Sequence, residues 1–181
     1  MLVAGAPSDW QVDHLYVHDT YPSNGTNQDH LIYVNAGLGR GRVAWNVLAN
    51  SANGRAVKVG PPSATAGVAG NLLIDHNTMF NNLGPSNVQL AWGTSNVTIS
   101  DNIMVRSGPN RASVTAYDLS GTGNRVADNV YWQATAATDL VTGLVGGVNL
   151  LADPMFTDAA GGDFRPRNPL AVNAGAYAPG R

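Results

Sequence analysis

The sequence predicts an all-β chain wound into a parallel β-helix of about five coils, and three observations point there. The first is composition: 12 Asp and no Glu, one Lys against nine Arg, 21 Gly, 19 Asn and 19 Val in 181 residues. Glu and Lys are the usual surface residues of helices, whereas Val, Asn and Gly are poor helix formers. The second is an internal repeat, the signature of stacked architectures. Residues 71–80 (NLLIDHNTMF) align with residues 96–105 (NVTISDNIMV), sharing Asn, Ile three on, Asn three on, and a large apolar residue three further on. The third is a second strand-like segment that follows each copy at a similar offset.

Taken in order, residues 1–12 read as a short segment ahead of the coils. The first coil opens near Asp13 and carries a weak copy, residues 17–20 (VHDT), with Thr20 at the Asn position. Stronger copies follow at residues 43–49 (VAWNVLA), 71–80, 96–105 and 126–132 (VADNVYW), which puts the key positions at 20, 46, 77, 102 and 129. The one long interval holds residues 60–67 (GPPSATAG), a surface loop by composition. Between the copies lie the second-phase strands at 31–34, 56–59, 88–92 and 112–116. Residues 150–181 read as an irregular C-terminal cap.

One Asn per coil in fixed phase has a physical reason. A buried turn leaves peptide groups that need partners, and stacked inward amides supply them while bonding one another along the axis. The turn residues Asp19, His76, Asp101 and Asp128 just before the ladder suit Asp's habit of bonding its own backbone.

Composition also excludes functions. A net charge of -2 offers no basic stripe for nucleic acid. No apolar run approaches a membrane span, and the first residues lack the basic and apolar regions of a secretion signal. The absence of Cys removes thiolate metal sites and a Cys nucleophile. No HExxH, EF-hand loop or GxSxG elbow occurs, so a metal site and a Ser-His-Asp site are both unsupported.

At this point the chain resembles the right-handed parallel β-helix, pectate-lyase-like superfamily. The carriers are the Asn-ladder coils and the run from Asp153 to Gly175, similar to the closing segment of many bacterial secreted β-helix proteins, with a "DP.F....GDF" stretch leading into a "P.....AG" ending. The resemblance implies a secreted or cell-surface, carbohydrate-active protein with a polysaccharide as its partner. Calcium, used by many relatives, would enter by resemblance only. Relatives run to many more coils behind a capping helix, so the chain is expected to be either a homodimer joined through its N-terminal coils or a piece of a longer protein.

The resemblance also locates the substrate groove on the outer face of the first sheet. Alternation then assigns Ile32, Val34, Val57, Val59, Val88, Leu90, Val114 and Ala116 inward and their neighbours outward. Leu31, Ala56, Ser113 and Ala91 are on that outward list. Tyr33, Lys58 and Gln89 become a file of outward neighbours, with Asp29, His30 and Arg55 at the strand entrances. These residues hold the parts for β-elimination from a uronate polymer: Lys58 or His30 as base, Arg55 as carboxylate clamp and Tyr33 as acid. Gln89, Asp29, Trp92 and Tyr117 complete the expected substrate contacts. A second outward group, Tyr16, His18 and Arg42, is expected to be surface hydrogen bonding.

Glycoside hydrolysis would need two carboxyl groups about 5–9.5 Å apart, and the groove offers only Asp29 and the distant Asp118. A polysaccharide lyase is therefore the leading expectation. A non-catalytic carbohydrate-binding or surface β-helix, or a purely structural module, is the alternative.

Overall fold

The structure is a computed structural model and describes residues 1–21 and 28–179. Each coil contributes three short strands. The first coil holds β1 (Leu2–Ala4), β2 (Trp10–Asp13) and β3 (Tyr16–Thr20), and the second β4 (Ile32–Asn35), β5 (Gly41–Ala44) and β6 (Val47–Ser51). The third holds β7 (Val57–Val59), β8 (Gly70–Asp75) and β9 (Thr78–Phe80). The fourth holds β10 (Val88–Ala91), β11 (Ser95–Ser100) and β12 (Ile103–Val105). The fifth holds β13 (Val114–Tyr117), β14 (Asn124–Ala127) and β15 (Val130–Trp132), and β16 (Leu144–Gly146) and β17 (Leu150–Leu151) begin a sixth. Corresponding strands pair in parallel, giving three sheets in the orders β1-β4-β7-β10-β13, β2-β5-β8-β11-β14-β16 and β3-β6-β9-β12-β15-β17.

The β-helix and its Asn ladder are as the sequence predicts. Each ladder copy proves to be two strands meeting at a corner one residue wide. His14, Trp45, His76, Asp101 and Asp128 turn that corner with φ between 52° and 64°. Asn46, Asn77, Asn102 and Asn129 follow them, almost fully enclosed. Asn46 Nδ2 donates to Asn77 Oδ1 at 2.9 Å, Asn77 Nδ2 to Asn102 Oδ1 at 3.0 Å, and Asn102 Nδ2 to Asn129 Oδ1 at 2.9 Å. The ladder has a further rung absent from the sequence reading, since Asn129 Nδ2 donates to Asn149 Oδ1 at 2.9 Å.

Expectations are corrected where the first coil meets the second. Pairing begins at Leu2, within the segment expected to precede the coils, because β1 and β2 already pair with β4 and β5. In that first coil the ladder position is Leu15, whose N–H donates to Asn46 Oδ1 at 3.0 Å, while Thr20 pairs with Ser51. The copy at residues 17–20 holds no Asn to fix its phase, and the pairing of Tyr16 with Val47 sets the register. Tyr16 and His18 consequently stand on the third sheet. Arg42 stands on the second, beside Gln11 and Leu73.

The C-terminal segment lies along the outer face of the third sheet. Its hairpin, β18 (Phe156–Asp158) with β19 (Asp163–Pro166), sets Phe156 and Phe164 against Phe80, and Phe164 also meets Tyr16 of the first coil. Farther along, Gly175 N–H donates to the Asp101 carbonyl at 2.8 Å. Only glycine fits there: its φ is 76°, and a Cβ would lie 2.6 Å from Thr78 Oγ1. The segment thus buries the outward apolar side chains Ile103, Val105 and Val130, which would otherwise face water.

Candidate functional site

Strand register brings the expected groove residues together. Tyr33, Lys58, Gln89 and Thr115 are successive partners on the first sheet. The spacing of hydrogen-bonded strands sets them about 4.8 Å apart in one file. Alternation fails at the strand entrances, where Leu31 and Ala56, expected outward, lie in the core. Both precede the regular strands, and the chain is still turning the corner there. Of the other two residues expected outward beside the groove, Ser113 and Ala91 are fully buried.

A cavity of about 200 Å³ opens over this face, lined by Gln28, His30, Arg55, Lys58, Gln89, Trp92 and Tyr117. Six of these seven are residues the sequence singled out. Gln28 is the addition, from the loop before Asp29, where no repeat or strand pattern marks it. Asp29 and Tyr33 do not line the cavity. Asp29 stands close enough to favour the charged form of His30. The Tyr33 hydroxyl is enclosed with no hydrogen-bond partner, and its ring forms the shelf under Lys58.

Lys58 and Arg55 are only 7% and 3% exposed. Lys58 Nζ sits 4.6 Å from the centroid of the Tyr33 ring and 5.5 Å from that of Trp92, so two π faces hold the ammonium. Burial, and then the neighbouring Arg55 charge, push the amine below its ordinary value. Burial alone pushes the Arg55 guanidinium down to about 10. Among the described residues, two cations and no carboxylate line this pocket. Such a site favours an anion that enters and replaces the lost hydration.

His30 is held differently. Its Nδ1 accepts a hydrogen bond from the Arg55 backbone N–H at 3.2 Å, which requires that nitrogen to be unprotonated. Burial, then Arg55 and Lys58, lower its pKa to about 4, so the neutral ring carries its proton on Nε2. The lone pair needed for proton abstraction is already engaged. Of the two candidate bases, His30 is the one whose accepting nitrogen is taken.

Trp92 and Tyr117 meet edge to face at 5.4 Å and 88° where the strands leave the sheet. Trp92 has a φ of 49°. A left-handed backbone is unusual for a bulky residue and is found where surroundings or function impose it.

Calcium does not fit this groove. It prefers several carboxylate and carbonyl oxygens, whereas the lining offers cations, rings and the Gln28 and Gln89 amides. Among the described residues no three His, Cys, Asp or Glu side chains group as metal ligands.

The other expected group is divided. Tyr16 stacks on His18 at 4.1 Å on the third sheet, while Arg42 forms a two-bond pair with Asp75, Nε to Oδ1 at 2.8 Å and Nη2 to Oδ2 at 2.5 Å. Burial raises the Asp75 carboxyl, but the hydrogen bonds from Arg42 and His76 hold it below its ordinary value. His14, Trp45 and His76 stack along the adjacent corner. These are surface interactions that tie neighbouring coils together.

Compared with protein-family models, curated proteins and solved structures, the chain matches none.

Proposed function

We propose that the first-sheet groove binds a uronate-containing polysaccharide and cleaves it by β-elimination. The observation that carries this reading is the convergence, in one cavity, of two buried cations with a neutral imidazole, a Gln amide and two aromatic rings. Arg55 pairs with the uronate carboxylate and withdraws charge from the adjacent carbon, which makes its proton removable. Lys58, whose amine burial and the Arg55 charge push toward the neutral form, takes that proton when deprotonated. The C–O bond to the leaving sugar then breaks as the double bond forms, and the Lys58 ammonium holds the proton that the leaving oxygen needs. His30, whose Nε2 is enclosed as the Tyr33 hydroxyl is, lines the groove as a neutral ring beside Arg55. Tyr33 supports Lys58, since its enclosed hydroxyl is poorly placed to act as the acid.

A second reading, a non-catalytic carbohydrate-binding module, is favoured by one observation. The Tyr33 and Trp92 rings against Lys58 stabilise the ammonium, which binds anions and takes no proton.

The experiment incubates the chain with uronate polymers and follows the ultraviolet absorbance of unsaturated uronate. Product is expected from the parent and none from Lys58→Met, which keeps the stem packed on the rings. Binding without product from any polymer selects the binding module.

A further inference from the structure

The groove changes character along its length. We propose that it takes a heteropolysaccharide in which a uronate is flanked by a neutral sugar, the uronate over coils two and three and the neutral unit over coils four and five. This rests on the reading of the groove as a uronate-polymer site.

The charge lies at one end. Arg55 and Lys58 both belong to the third coil, and along the file the next outward residues are uncharged, Gln89 and then Thr115. The Thr115 hydroxyl is already engaged with Ser86 Oγ at 2.7 Å. At about 4.8 Å per coil, coils three to five span about 10 Å, roughly the length of a disaccharide. A second carboxylate on the adjoining sugar would therefore fall over the fourth and fifth coils.

What it would meet there is unfavourable. Trp92 already turns one face to Lys58, and the half-exposed Tyr117 edge-packed on it presents a ring whose negative face suits the C–H face of a neutral sugar. Beyond them stand two carboxylates. Asp118 follows Tyr117 on an exposed turn, and Asp139 holds its carboxylate at the outer edge of β13, accepting the Ala116 N–H at 3.1 Å. A polymer of uronate alone would place like charges together at this end, and an alternating polymer would not.

Calorimetric binding to the full chain decides the matter, with polygalacturonate and alginate as all-uronate probes, and hyaluronan and the galacturonate–rhamnose backbone of pectin as alternating ones. At least one alternating polymer is expected to bind about tenfold more tightly than either all-uronate polymer. Tyr117→Ala, at a half-exposed position, and Trp92→Asn, which retains a residue tolerant of the left-handed backbone, should each remove most of that preference. Asp118→Asn should narrow the gap from the other side. An all-uronate polymer that binds as tightly as both alternating ones overturns the inference and leaves the uronate reading intact. Binding of none of the four removes the uronate reading and this inference with it.

Discussion

Replacing Asn102 by Ala tests the Asn ladder where it is most enclosed. Asn102 is fully buried, and its Oδ1 accepts the Asn77 N–H at 2.9 Å and Asn77 Nδ2 at 3.0 Å. Its Nδ2 donates to the Ile74 and Ser100 carbonyls and to Asn129 Oδ1, each at 2.9 Å. In the alanine variant Asn77 Nδ2 keeps the Val43 and Asp75 carbonyls, and Asn129 Oδ1 keeps the Asn102 N–H. The Asn77 N–H loses its ladder acceptor. Leaving one buried donor unpaired costs about 1–3 kcal/mol, and the other lost bonds about 0.5–1.5 kcal/mol each, less where water or a remaining partner compensates. A loss of about 3–6 kcal/mol follows, a large part of the roughly 5–15 kcal/mol that holds a domain folded.

Asn149 is the internal comparison. It ends the ladder half-exposed, accepting from Asn129 N–H at 3.1 Å and Asn129 Nδ2 at 2.9 Å. Water can replace part of what Asn149→Ala removes, so about 1–2 kcal/mol is expected. Urea unfolding followed by circular dichroism reads both values, provided the slopes agree. Equal losses in the two variants, or an Asn102→Ala loss below about 1 kcal/mol, would refute the ladder as a source of stability.

Acid should expose the cost of His30. Its folded pKa of about 4 lies below the ordinary 6.5, so the unfolded chain takes up a proton first. Stability is therefore expected to fall progressively as pH drops from about 6.5 to about 4. His30→Asn keeps an acceptor near the Arg55 N–H without titrating, and a difference profile against the parent should isolate this part; a flat difference would contradict it. Gly54→Ala should disturb the fold and the groove together, because a Cβ there lies 2.2 Å from the Asp29 carbonyl carbon, one residue before His30. A loss of about 1–3 kcal/mol with weakened polysaccharide binding is expected, and normal binding would show that the 29–30 backbone does not position the site. Phe164→Ala empties the contact among Phe80, Phe156 and Tyr16 and should cost about 3–5 kcal/mol, with new binding of a hydrophobic dye on the third sheet. An unchanged midpoint would mean that the C-terminal segment contributes little to stability.

Much of the site was legible because a coil repeat makes residues far apart in sequence into neighbours by simple counting. The file Tyr33, Lys58, Gln89 follows once the strands are phased. So do Arg55 and His30 at the strand entrances, although the resemblance supplied the choice of sheet. Gln28 was not legible. It lies on an irregular loop, where neither alternation nor period assigns a direction.

By itself the sequence determined what is periodic: the all-β class, the stacking, the Asn ladder from position 46 to 129, and the partners of the single lysine. These follow from backbone hydrogen bonding, which repeats with the coil and leaves a matching pattern of residues. Only the tertiary structure decided what depends on a particular partner in space. Leu15 takes the first ladder position because Tyr16 pairs with Val47. The C-terminal segment covers the third sheet because aromatic rings from four separate strands meet there. The His30 Nδ1 lone pair is engaged because it faces the Arg55 N–H, a contact between two groups that no spacing along the chain encodes.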